Sequence, residues 1–349
     1  MKLLDIAGRK VGSGQPCLII AEAGVNHSGS LDLARQLVDT AVRAGADAVK
    51  FQTFKAERLV TLDAPKADYQ LKITDAAESQ YDMLRSLELS AEAHQDLIAY
   101  CRQSGALFMS SPFSEESADL LDDLGIAVFK IPSGEITNLS FLTHVARKEK
   151  PMIVSTGMAN LDEVEEAVKA IRGAGNQDLV LLHCVSNYPA KPADVNLRAI
   201  QTMAIAFEVP VGYSDHTLGI EVALGAVALG ACVIEKHFTL DRKLPGPDHQ
   251  ASLEPDELVA MVKGIRVVES ALGHGRKEPS DSEANIAAIV RKSLVAARDI
   301  LAGTLLTEEM IAIKRPGTGI QPYELDRVLM KKVTRSLRDG ELINWADLA

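Results

Sequence analysis

The chain has 349 residues, 47% of them apolar and 24% charged, a balance that excludes wholesale disorder and a collagen-like repeat. Lysine and arginine total 37 against 48 aspartates and glutamates, a net charge of −11 at neutral pH; no basic stripe marks a surface for nucleic acid or anionic membrane. The length suits one large domain with a small one, or two medium ones, and with aromatic residues at only 4% the core must rest on Leu, Ile, Val and Ala.

The opening stretch MKLLDIAGRKVGSGQP has no apolar run long enough for a signal peptide. From Pro16 to about Leu272 short apolar runs alternate with helical patterns. CLIIAEAGV, ADAVKFQT, LFMSSPF, AVFKIPSG, PMIVSTGM, LVLLHCV, VPVGYSDH and ACVIEKHF read as buried strands. Between them lie helices such as SLDLARQLVDTAVRAGA and NLDEVEEAVKAIRGAG. The second begins at Asn160 with Glu163 three residues on, a capping box, and stops at glycine. Eight strands, each followed by a helix, predict a closed (β/α)8 TIM barrel. The rival, an open doubly wound sheet, would hold a dinucleotide on GxGxxG, but NHSGS after the first strand does not match it.

The connection from Ala56 to Leu89 is long and polar, and reads as a lid or substrate wall on the active face. Val222 to Ile234 is the longest apolar stretch; it contains two glycines and is too short to span a bilayer. Cys17, Cys101, Cys184 and Cys232 form no CxxC pair and read as buried free thiols of a reduced, cytoplasmic protein. After Leu272 the pattern changes. The expected division is a barrel over 1–275, a polar linker over 276–289, and a small unit of short strands and turns over 290–349 whose thin core must dock on something else.

Polar residues cluster at the C-terminal ends of the predicted strands, where barrel enzymes place their sites. Glu22 ends the first, followed by Asn26 and His27; Lys50 and Gln52 end the second; Ser110 and Ser111 the third; Lys130 and Ser133 the fourth. Ser155 and Thr156 end the fifth, Ser186, Asn187 and Tyr188 follow the sixth, and Ser214, Asp215 and His216 end the seventh; Glu235, Lys236 and His237 end the eighth. Singly, each suits a turn, a helix cap or a solvated charge. Together they would converge on one mouth. His216 and His237 end neighbouring strands ~4.8 Å apart, so both imidazoles could hold one divalent ion, Mn2+ or Mg2+. Lys50, Lys130, Ser111, Ser133 and Ser155 suit a phosphate or carboxylate dianion. A lysine Schiff-base aldolase is the alternative for the same residues.

The motifs IIAEAGVNHSGS, DAVKFQTFKA, FKIPSGE, STGM, GYSDHT, IEKHFTLD and PGPDH resemble the bacterial sialic acid synthases, and KRPGTGI resembles their C-terminal antifreeze-like (SAF, β-clip) domain. The resemblance runs in order over nearly the whole chain. It implies a barrel enzyme that condenses phosphoenolpyruvate with an N-acylated hexose and water to a nine-carbon 2-keto acid, releasing phosphate by carbon–oxygen cleavage. N-acetylneuraminate synthase, using N-acetylmannosamine, is the expected activity; legionaminate synthase, using a 2,4-diacetamido-6-deoxy-mannose, is the alternative. By motif, His216 and His237 would hold the metal. Lys50, Ser111, Lys130, Ser133, Ser155 and Ser214 would bind phosphoenolpyruvate, and Glu22, Lys50 and Lys130 would be catalytic. Gln52, Tyr188 and Asp248 would contact the sugar, and Arg315 would reach its N-acyl group from the partner of a domain-swapped homodimer. In HCVSNYP, Ser186 stands where some neuraminate synthases have Asn, at a substrate-contacting position.

Overall fold

Along a strand, successive side chains face opposite sides, and this alternation organises the protein. The computed structural model describes residues 3–66, 71 and 78–349. They form two units, Met1–Gly273 and His274–Ala349. The first contains a hairpin, β1 (Leu4–Ile6) and β2 (Arg9–Val11), and then β3 (Leu18–Gly24), β4 (Ala48–Thr53), β5 (Leu107–Pro112), β6 (Phe129–Ile131), β7 (Met152–Ser155), β8 (Leu179–Cys184), β9 (Val211–Asp215) and β10 (Val233–His237). The last eight make one sheet in the order β5-β4-β3-β10-β9-β8-β7-β6. Its ladders are parallel, and β3 pairs with β10, so the sheet rolls into a barrel whose ladder is open only between β5 and β6. These eight strands are the eight apolar runs of the sequence.

The helices lie outside because one face of each strand is mainly apolar. Ile19, Ala21, Val49, Phe51, Phe129, Val154, Leu181 and Ile234 pack with helical residues such as Leu37, Leu97, Val168 and Leu258 in one core. Local chemistry sets the helix limits. Ser30 caps the helix Leu31–Ala44 through the Leu33 N–H, and Gly45 ends it at φ 82°. Asn160 and Glu163 form the reciprocal capping box that starts the helix Leu161–Gly173.

The opposite strand faces fill the barrel. In their N-terminal halves they are apolar: Leu18, Ile20, Ala48, Met109, Ile153, Val180, Leu182 and Val233 form a second core. The N-terminal hairpin, which the sequence reading passed over, completes that core. Leu4, Ile6 and Val11 join it at 2%, 1% and 0% exposure, while Asp5 and Lys10 face solvent. Ala7 and Gly8, both at positive φ, make its two-residue turn. Arg9 fastens the hairpin to Asp47 and to the Cys17 carbonyl, and Arg266 reaches the same aspartate at 2.9 Å.

The long connection after β4 carries short helices, Ala56–Leu59 and Gln80–Ser86. Met83 and Leu87 pack on Val25 and Phe54, just beyond β3 and β4, which puts this end of the insertion beside the strand C-termini. The middle of the expected lid, residues 67–70 and 72–77, lies outside the described residues. All four cysteines are buried and unpaired. Among the described residues no helix is long and apolar enough to cross a membrane.

The second unit has its own core of Leu294, Ile300, Leu306, Ile320, Val328, Val333, Leu337 and Ile343. Its β11 (Ser293–Ala296) and β12 (Ile311–Lys314) pair antiparallel. The expected linker is partly helical, over Ala284–Val290, and no residue of that helix is buried.

The hairpin plug generates a stability prediction. Ile6→Ala should cost about 2–4 kcal/mol, the range for emptying a well-packed buried site, whereas Asp5→Ala should stay within about 0.5 kcal/mol. Urea denaturation of both variants checks this. Equal effects would mean that the hairpin does not seal the barrel.

Candidate active site

Continuing along the inward faces, the apolar layers give way to charge at the strand C-termini. Leu18 and Ile20 are followed by Glu22, Ala48 by Lys50 and Gln52, Met109 by Ser111, and Ile153 by Ser155. On β6 the inward position is Lys130; on β8, β9 and β10 the series reaches Cys184, Ser214 and Glu235, with His216 and His237 beyond. These residues line a cavity of about 320 Å³, together with Phe113, Pro132, Ser133, Gly134, Met158, Ser186 and Tyr188. A larger depression of about 790 Å³ on the second unit is bounded by surface charges such as Asp299, Arg338 and Asp339; it gathers no buried reactive groups.

Two ammonium groups face this cavity. Lys50 Nζ donates to Ser111 Oγ at 3.0 Å and lies 2.8 Å from Glu22 Oε2. That oxygen accepts no aligned hydrogen bond, so the contact with Glu22 is an ion pair rather than a directed bond. Lys130 Nζ donates to Ser155 Oγ at 2.7 Å and to the Ile131 carbonyl at 3.1 Å. Glu235 sits between the lysines, 3.5 Å from Lys130 and 3.8 Å from Lys50, and accepts from the Ser214 hydroxyl at 3.0 Å.

Burial works against every charge here, and neighbours decide the outcome. The Glu22 pKa is pushed up to about 7, by burial first and by Glu235, against the pull of Lys50. Burial would raise Glu235 as well, but Lys130 and Lys50 outweigh it and hold this carboxylate below its ordinary range. Lys50 stays above its ordinary value because Glu22 and Glu235 overcome its burial. For Lys130 burial prevails, partly offset by Glu235, and the pKa falls.

The two histidines form the other wall, with ring centroids 5.6 Å apart. His216 Nδ1 faces the Val185 carbonyl at 2.7 Å. A carbonyl only accepts, so Nδ1 carries a proton and Nε2 is the nitrogen that could take a cation once the ring is neutral; against burial, Cys184 and the Val185 carbonyl hold the His216 pKa above its ordinary value. His237 Nδ1 is buried without a hydrogen-bond partner, with Asp248 Oδ2 3.9 Å away. Burial, then His216, holds the His237 pKa well below the ordinary range, which keeps the ring neutral. Tyr188 lies against both rings, at centroid distances of 4.1 Å and 5.6 Å. Among the described residues no three His, Cys, Asp or Glu side chains gather as a metal cluster. The donor set is therefore two imidazoles with the remaining positions open to water or substrate. An orphaned buried ring nitrogen beside a second free one fits a divalent ion of that kind.

Glycine allows two close approaches. A Cβ on Gly157 would lie 2.2 Å from Ser186 Oγ and 2.7 Å from Ser133 Oγ, so only glycine lets the loops after β6, β7 and β8 meet; its N–H donates to Ser133 Oγ at 3.0 Å. At Gly24, φ 53°, a Cβ would press on both Glu22 and His237 at 3.3 Å, at the register shift in the β3–β4 pairing.

Of the residues singled out in the sequence, Glu22, Lys50, Gln52, Ser111, Lys130, Ser133, Ser155, Tyr188, Ser214, His216 and His237 line the one cavity. Asp248 is not among the lining residues, though its Oδ2 lies 3.9 Å from His237 Nδ1, and Arg315 is an exposed residue of the second unit that makes no ion pair among the described residues. Asp215 and Lys236 point away from the cavity. Glu235, assigned no role from sequence, is central; its two-residue spacing from Val233 and His237 was the available signal. Cys184, Phe113 and Met158 were also missed, and the latter two lie on loops where strand alternation says nothing.

Residues 37–277 match the NeuB family and residues 291–349 the SAF domain. The chain is 51% identical over 338 residues to N,N'-diacetyllegionaminic acid synthase of Legionella pneumophila, covering 96% of this chain and 95% of that one. It is 51% identical over 328 residues to the protein of the same name from Campylobacter jejuni, covering 93% and 98%. Among solved structures, an N-acetylneuraminic acid (sialic acid) synthetase from Leptospira borgpetersenii, in complex with citrate, superposes with a TM-score of 0.73 at 36% identity, covering 82% of this chain and 95% of that one.

Glu22 generates a prediction about pH. Its folded pKa of about 7 lies above the ordinary 4.5, so the folded state holds a proton that the unfolded chain releases. The resulting stabilisation is complete below about 4.5 and is lost as pH rises through about 7. Glu22→Gln removes this dependence. The stability of the variant relative to wild type should therefore rise between pH 4.5 and 7 and level off above, as read by urea denaturation at several pH values. Parallel curves would mean that Glu22 keeps an ordinary pKa.

Proposed function

Because the chain belongs to the NeuB family, we propose that it is a phosphoenolpyruvate-dependent nonulosonate synthase acting on 2,4-diacetamido-6-deoxy-mannose to give N,N'-diacetyllegionaminate and phosphate. The observation that carries the reaction is the cavity itself, which sets two buried lysines around Glu235 on one side and two free imidazole nitrogens on the other. For the sugar, the sequence-based preference for N-acetylmannosamine gives way to its alternative. Relatives named for diacetyllegionaminic acid stand at 51% identity, and the neuraminic acid synthetase at 36%. Ser186 agrees with this choice, since on the cavity wall it is shorter than asparagine and leaves more room for a second acetamido group.

In this reading Lys50 and Lys130, with Ser111, Ser133, Ser155 and Ser214, bind the phosphate and carboxylate of phosphoenolpyruvate through charge-assisted hydrogen bonds. Gln52, Tyr188 and Asp248 orient the open-chain sugar. A divalent ion, Mn2+ or Mg2+, held by His216 and His237 would supply Lewis-acid polarisation of the acceptor carbonyl. The lysines keep the enol carbon of phosphoenolpyruvate aimed at the sugar's aldehyde carbon, and a carbon–carbon bond forms there. The cationic centre left at C2 takes up water, whose proton passes to Glu22, a base tuned near neutrality. Glu22 passes that proton to the alkoxide left on the former aldehyde oxygen; the C2–O bond to phosphate then breaks, phosphate leaves with the electron pair and takes the remaining proton from the C2 hydroxyl, and the 2-keto acid remains. Lys50 and Lys130 balance the changing charge. Four unpaired thiols suit work in the cytoplasm. The second unit, with Arg315, is inferred to complete the site of a partner chain in a swapped homodimer, as the family resemblance implies.

The decisive assay is mass spectrometry of products from phosphoenolpyruvate and a panel of N-acylated hexoses. The diacetamido sugar should exceed N-acetylmannosamine at least tenfold in kcat/KM, and Ser186→Asn should narrow that ratio; the reverse preference would return the enzyme to the neuraminate branch. Solvent oxygen label should enter the keto acid, and its appearance in phosphate would exclude carbon–oxygen cleavage.

Subunit mixing tests the shared site. Arg315→Ala and Lys130→Ala homodimers should each be nearly inactive. A swapped heterodimer has one site with both defects and one with neither, so mixing should restore up to about a quarter of wild-type turnover, because half the dimers are mixed and each has one intact site. No recovery after verified subunit exchange would place Arg315 outside the partner's site.

A further inference from the structure

Asp215 and Lys236 end their strands beside the site yet face the helices, and each is about 1% exposed. Lys236 Nζ donates to Asp215 Oδ2 at 2.6 Å and to the Thr217 carbonyl at 2.7 Å. Asp215 Oδ1 accepts from the Thr217 N–H at 2.9 Å, the Thr217 hydroxyl at 2.8 Å and the Tyr213 hydroxyl at 3.2 Å. An ion pair buried this deeply is poor evidence of stabilisation, because apolar residues of like volume serve as well or better. Its place in the ladder suggests another role. The pairing of β9 with β10 ends at the Lys236–Asp215 rung. His216 and His237 are the next residues, one step past the last rung. There the side chains take over, tying the residues on both sides of His216 to the residue that precedes His237.

We propose that the Asp215–Lys236 pair is the positioning element of the two-histidine centre, fixing the 5.6 Å separation of the rings and with it the affinity for a divalent cation. This rests on the reading of His216 and His237 as cation ligands. Positioning and simple electrostatics predict different signs. Through space alone, removing the Lys236 charge would tighten cation binding, and removing the Asp215 charge would weaken it. A lock that holds the rings makes both losses weaken it.

The experiment is calorimetric titration of chelator-treated full-length protein with Mn2+, and separately with phosphoenolpyruvate. Lys236→Met and Asp215→Asn should each bind Mn2+ at least tenfold more weakly, with phosphoenolpyruvate affinity within twofold of wild type. The Asp215→Asn, Lys236→Met double variant leaves no unpaired buried charge; it should fold with a Tm near wild type, still bind Mn2+ at least tenfold more weakly, and decide the matter if Lys236→Met does not fold. Mn2+ affinity equal to or tighter than wild type in Lys236→Met, or in the double variant, would overturn the proposal while leaving the histidine reading intact. If wild type bound no more Mn2+ than His216→Ala, His237→Ala, the histidine reading would fall and the proposal with it.

Discussion

Two carboxylates offset the buried charges of Lys50 and Lys130 inside an apolar barrel: Glu22 lies 2.8 Å from Lys50, and Glu235 lies 3.8 Å from Lys50 and 3.5 Å from Lys130. Each contact with Glu235 is worth roughly 4–5 kcal/mol at the effective dielectric of about 20 that suits protein sites. That is comparable with the several kcal/mol needed to desolvate each ion. The cluster is therefore near balance, not a source of stability. Its consequence is chemical: two ammonium groups are preorganised for an anionic substrate, and Glu22, deeply buried and repelled by Glu235, is left to titrate near neutrality.

Such a cluster must be supported elsewhere, and the barrel divides the labour along its axis. The N-terminal halves of the strands and the hairpin of Leu4, Ile6 and Val11 fill the interior with apolar side chains. Above them the same inward positions turn polar within one or two residues. Stability resides at one end and reactivity at the other, the usual arrangement of this architecture. The outward layer contributes differently, for Asp215 and Lys236 hold the strand ends from behind, where the backbone ladder has stopped.

Much of this was legible in the sequence because its signals are local. Each strand is a short apolar run bounded by helix caps such as Ser30 and Asn160, and each run ends in a reactive residue at a spacing that strand geometry dictates. Ordered motifs such as GYSDHT and IEKHFTLD singled out the same positions. The hairpin was less visible. LDI and RKV are only three residues each, too short for periodicity to separate from a loop, and their burial depends wholly on the barrel above them.

Thus the sequence by itself determined the eightfold strand–helix alternation, the polar residues at the strand ends and the family motifs, since all of these are properties of neighbouring residues. Only the tertiary structure decided which polar residues meet. Glu235 and Lys236 are adjacent in sequence, equally polar and equally buried, yet one faces two lysines across the cavity and the other locks to Asp215 outside it. The physical reason is barrel closure: it gives a strand an inside and an outside, brings β10 beside both β3 and β9, and turns a two-residue alternation into a division between catalytic chemistry and its support.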